Sequence, residues 1–223
     1  MTPRFSKAVD PIFMHVIRTL DRIERHEELN PHLEQAAIQS RIERAESELG
    51  GSPEWQLAKY ALVAWIDDAM IFAEWSGNRW WQENPLEVVI YRERVAAYKF
   101  FQDAKEAAAA QLKDALEVFY VCVMLGFYGA YRPEAFGARD QDEHRLFLRQ
   151  YDLPPTREAW AKQTRTYLRL QQGRPKISVN PREGNFAPPL EDKFAAISGW
   201  LLASVLLAAV FFLGWYLFPP TGS

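Results

Sequence analysis

Two adjacent acids, Asp67 and Asp68, sit in the apolar segment YALVAWIDDAM (residues 60–70). Paired carboxylates could act as general acid and base or hold a metal ion. On a helix, however, neighbouring residues are rotated by about 100°, so the two acids diverge and make a poor catalytic pair. Asp67 lies four residues after Val63 and four before Ile71, and so shares a face with apolar residues. Either the pair is an acidic docking point in a groove between helices, or Asp67 is a partly buried carboxylate paired with an arginine such as Arg79 or Arg132. Both can hold at once.

Other chemistry is sparse. None of His15, His26, His32 and His144 has a Glu three residues earlier, so the Glu-x-x-His di-metal signature is absent. HExxH, a P-loop, GxSxG and a CxxC pair are absent as well. Cys122 stands between Val121 and Val123, the setting of an inert core thiol. No catalytic residue, metal or cofactor is expected. Trp75, Trp80 and Trp81 cluster around Gly77-Asn78, where they either anchor an interface or close the end of a bundle. In LGFYGAYRP (residues 125–133), Gly126 and Gly129 permit close approach or a helix end, and Tyr131 and Arg132 fix the turn. The candidate partner-binding residues at a cleft are therefore Asp67, Asp68, Trp80, Trp81 and Arg132.

The elements that must position these residues all read as helices. Asp10-Pro11, Asn30-Pro31, Ser52-Pro53 and Asn84-Pro85 each place a capping residue before Pro, the pattern of a helix start. Ile12, Phe13, Val16, Ile17, Leu20 and Ile23 keep a 3.6-residue period after the first. Leu33, Ile38, Ile42, Ala45 and Leu49 do so after the second, which Gly50-Gly51 end. Trp55, Tyr60, Val63, Ala64 and Ile71 follow the third, and Leu86, Val89 and Ile90 share a face of the fourth. Phe100-Phe101 and Ala107 to Ala110 continue in helical character. Residues 114–128 form a strongly apolar helix, and residues 139–151 and 156–170 two amphipathic ones. No stretch alternates with period two between hairpin turns, so the head is expected to be all-α.

Residues 195–218 carry no charge and suffice to cross a bilayer about 30 Å thick. Trp200, Trp215 and Tyr216 stand at its ends, where amphipathic rings favour the membrane interface. The chain thus divides into a head (1–170), a linker rich in Pro, Gly and basic residues (171–194), a span (195–218) and a short tail (219–223). Arg169, Arg174, Lys176, Arg182 and Lys193 precede the span and no Lys or Arg follows it, and the N-terminus shows no signal peptide. The head is therefore expected in the cytoplasm and the C-terminus on the far side. A lone cysteine fits a reducing compartment. A net charge of -3 over 223 residues gives no electrostatic case for nucleic acid. Gly199, Ala203 and Ser204 would allow a second span to approach closely, so a homodimer through the anchor is expected.

YALVAWIDDAM, a Trp-containing loop, Phe100-Phe101 and LEVFYVCVMLGFYGAYR together resemble the DotU/TssL/IcmH family of tail-anchored inner-membrane proteins from bacterial type VI and type IVB secretion systems. Cys122, Leu125, Gly126, Phe127, Gly129, Tyr131 and Arg132 match its pattern. Asp68 stands where the family has Glu, and VAAY (residues 95–98) replaces its glycines. The resemblance implies a cytoplasmic bundle of about seven helices in two small sub-bundles with a cleft. It also implies a scaffold in the bacterial inner membrane, partnering an IcmF/TssM-like protein and baseplate components (TssK-like). Two other classes compete: a tail-anchored adaptor outside secretion, and a membrane-tethered helical enzyme using Asp67, Asp68 and a histidine with a metal.

Overall fold

The computed structural model describes residues 1–132 and 141–171, all within one of the two units into which the chain divides, Met1–Gly173. The described residues hold seven helices of ten or more residues. They are α1 (Pro3–Glu24), α2 (Pro31–Leu49), α3 (Pro53–Phe72), α6 (Ala96–Ala109), α7 (Lys113–Met124), α8 (Gln141–Gln150) and α9 (Arg157–Gln171). Two six-residue helices, α4 (Asn78–Glu83) and α5 (Leu86–Tyr91), lie between α3 and α6, and a 3₁₀ turn, Gly129–Tyr131, follows α7. α9 takes in Gln171, the first residue of the expected linker; the rest of the linker, the span and its interface residues Trp200, Trp215 and Tyr216 lie outside the described residues.

The helix starts at Asn30-Pro31 and Ser52-Pro53 stand where the capping pattern predicts. The Asn30 side chain accepts from the His32 N–H, and Ser52 from the Trp55 N–H. The first start is displaced: α1 begins at Pro3 and carries Pro11 within it. Proline interrupts a helix by removing one N–H and crowding the preceding turn. Here its ring is exposed, while Phe5, Ala8 and Val9 extend the buried stripe upstream of it. That burial holds the helix through the proline. Leu33 and Val89, expected on buried faces, are exposed. The tryptophan loop is itself partly helical, as α4, and Asn84 becomes its C-cap.

α3 is the axis of the bundle. Trp55, Ala58, Ala61, Leu62, Val63, Ala64, Trp65, Ile66 and Met70 are all buried, so it is apolar on nearly every side. The α1–α2 pair packs against it, and so do α4, α5, α6 and α7; α9 packs on α7. Ala61 lets α7 approach closely enough for the Cys122 thiol to lie 3.7 Å from the Ala61 carbonyl oxygen. Burial pushes that thiol well above its ordinary range. Lys113–Tyr131 is long and apolar enough to cross a membrane, but 61% of that window is buried inside the fold. Phe100 and Phe101 are fully buried among Phe119, Phe127, Tyr131 and Trp160, and this aromatic cluster joins α6, α7 and α9.

Candidate functional site

Asp67 is buried and works as a long-range helix cap. Its Oδ1 accepts from the Trp81 indole N–H and the Leu86 N–H, and its Oδ2 from the Glu87 N–H, each at 2.8 Å. Leu86 and Glu87 open α5, so a carboxylate on α3 satisfies backbone donors that a helix start leaves free. Glu87 repeats the device. Its Oε1 accepts from Tyr60 Oη at 2.6 Å and from the N–H of Val95, which precedes α6. Glu54 accepts from the Asp114 N–H at 2.8 Å at the start of α7, and Asp114 in turn accepts from the Thr2 N–H at 2.7 Å at the start of α1. Acids on one helix thus set the origin of another.

Among the described residues no arginine pairs with Asp67. Arg79 is solvent-exposed and pairs with Glu83, and Arg132 takes Asp68 instead, its Nη2 lying 3.2 Å from Oδ2. Asp68 also accepts from the Tyr128 N–H at 3.4 Å. The Arg132 guanidinium stacks 3.5 Å over the Phe72 ring and 4.8 Å from that of Tyr128, and Phe72 and Tyr128 are exposed. Burial pushes the Asp68 carboxyl up against the pull of Arg132.

Asp67, Asp68 and Arg132 line one cleft of about 410 Å³, together with Ile71, Phe72, Glu87, Arg94, Phe127 and Gly129. The tryptophans do not. Trp81 is fully buried as the donor to Asp67, and Trp80 packs against the His32 ring on α2 at 4.1 Å. Trp75 donates to the Met70 carbonyl, so the three close the end of the bundle. Sequence reasoning missed Glu87, Phe72 and Arg94. Only Glu87 carried a signal, as an acid in the first turn after Asn84-Pro85.

Three N–H groups occupy the Asp67 carboxylate and turn it toward Trp81 and the start of α5. Among the described residues no group of three or more His, Cys, Asp or Glu is placed to hold a metal. Burial pushes the Asp67 carboxyl up to about 7, outweighing the N–H donors that pull it down. Its folded value lies above the ordinary 3.8, so the unfolded chain ionises first. Stability present at acid pH is then lost as pH rises from about 4 to about 7, and changes no further above that. Denaturant unfolding across this window should show the wild type losing stability relative to Asp67→Asn. A constant difference would contradict the assignment.

The family model described as "Type VI secretion system protein DotU" matches residues 4–218. The structure is similar to the cytoplasmic domain of TssL from Acinetobacter baumannii, with a TM-score of 0.52 at 22% sequence identity, covering 74% of this chain and 98% of that one. At that identity the likeness speaks for the fold. No curated protein matches the chain.

Proposed function

Given that the chain belongs to the DotU family of type VI secretion proteins, we propose that it is a non-enzymatic scaffold of the secretion system's membrane complex. In this reading it sits in the bacterial inner membrane with its head in the cytoplasm. It partners an IcmF/TssM-like protein and links the membrane to TssK-like baseplate components. Membership over residues 4–218 carries this reading. That range takes in the apolar run 195–218 and so supports an anchored head.

The cleft is the proposed docking site. Asp68 and Arg132 are its charged pair, with Phe72 and Tyr128 beside them. Asp67 and Trp81 hold the cleft in shape. Partly exposed charges of this kind act mainly through association rate and specificity. Trp80 packs on His32 of α2 and edge-on against Trp81, outside the lining of the cleft.

Co-purification of the full chain with the IcmF-like and TssK-like proteins of the same system tests the reading, and retention of at least one is expected. Failure to retain either would overturn it. A reporter fused after Ser223 should report the periplasm and one at Met1 the cytoplasm; the reverse would remove the cytoplasmic scaffold.

A further inference from the structure

The last described helix has one cationic stripe. On α9, Trp160, Thr164 and Leu168 are buried at i, i+4 and i+8. The opposite side exposes Lys162, Arg165, Thr166 and Arg169, with Leu170 at its end. The three cations fall at i, i+3 and i+7 and so share a face. The ion pair on α9 among the described residues is Arg157 with Glu158, upstream of the stripe. The sequence extends the bias: residues 159–182 hold Lys162, Arg165, Arg169, Arg174, Lys176 and Arg182 and no acid, in a chain whose net charge is -3. Twenty-three residues, 172–194, separate Gln171 from the apolar run that begins at Ala195.

This stripe is of one sign and precedes the apolar run in the sequence. A basic segment next to a membrane span is attracted to anionic lipid, by about fivefold in partitioning per Lys or Arg. Three together give on the order of a hundredfold. The inference rests on the proposed anchor: with residues 195–218 in the membrane, docking is intramolecular and needs little intrinsic affinity. We propose that Lys162, Arg165 and Arg169 dock α9 onto the anionic headgroups of the membrane that holds the anchor. Docking lays one side of the head against the bilayer. It is separate from the cleft and does not depend on it.

The test uses the full chain in lipid nanodiscs. Cys122 is fully buried, so a Thr166→Cys thiol can carry a polarity-sensitive fluorophore in the middle of the stripe. Expected is a blue-shifted, quencher-protected probe in discs rich in phosphatidylglycerol. The shift should be absent in phosphatidylcholine discs and abolished at high salt, where screening reaches only a few ångströms. The triple change Lys162→Glu, Arg165→Glu, Arg169→Glu should abolish it too, and the triple Gln variant should weaken it. All three positions are exposed, and circular dichroism checks that both variants remain helical. The same emission in anionic and neutral discs would overturn the proposal. So would a shift that survives charge reversal, or protection that appears only when an acidic protein partner is added.

Discussion

Asp67→Ala is expected to cost the head about 3–5 kcal/mol of stability. The change strands the Trp81 indole N–H and the backbone N–H groups of Leu86 and Glu87. A buried donor without an acceptor costs about 1–3 kcal/mol, and relief from burying a carboxylate offsets only part of three such losses. Typical domains have about 5–15 kcal/mol in total, so the melting temperature should fall steeply. Asp67→Asn keeps one acceptor oxygen and should lose less. The Asp68→Asn change leaves an acceptor for the Tyr128 N–H, and its cost should be about 1 kcal/mol. Thermal unfolding of the three variants checks the order. A loss below about 1 kcal/mol for Asp67→Ala would mean that the three donors find other acceptors.

Gly129→Ala should be about as damaging, for a different reason. Gly129 sits at φ +49°, in the left-handed region that side chains disfavour. A Cβ there would lie 2.6 Å from the Phe127 ring and 3.0 Å from the Ala97 carbonyl oxygen. Phe127 cannot swing aside, because its ring packs 4.0 Å from that of Phe100 in the aromatic cluster. Overpacking of about 1–3 kcal/mol and left-handed strain of about 1–2 kcal/mol together predict a loss of about 2–5 kcal/mol. The relieved turn would also displace Arg132 from Asp68. Gly126 is the control: its φ is +102°, but a Cβ would meet nothing within 4 Å. Gly126→Ala should therefore cost strain alone. A loss at Gly129→Ala no greater than left-handed strain alone, about 1–2 kcal/mol, would contradict this packing account.

Local signals in the sequence were sufficient wherever the cause is local. Capping residues before Pro31 and Pro53 and the glycine after Leu49 act within a few residues of the ends they define. Pro11 misled because the burial that carries α1 through it is a tertiary fact. The role of Asp67 was half legible. Its place among Val63 and Ile71 implied burial, and burial implied a partner. The partners are N–H groups 19 and 20 residues away, not the arginine that charge alone suggests. Glu54 likewise caps a helix 60 residues on. Sequence patterns record caps within one turn, so long-range caps appear only when the helices are in place. Trp81 was open to two readings, interface anchor or bundle end, for the same reason: its acceptor lies on α3.

In the proposed scaffold two neighbouring acids take separate tasks, Asp67 holding the cleft and Asp68, with Arg132, engaging a partner. The most direct test measures the affinity of the full-length Asp68→Asn chain for the IcmF-like and TssK-like proteins, with its unfolding midpoint read in parallel. A midpoint close to that of the wild type is expected, with binding of one partner weakened at least about tenfold, or about 1.4 kcal/mol, and less sensitive to salt. Wild-type affinity for both partners in a variant that folds normally would contradict the claim.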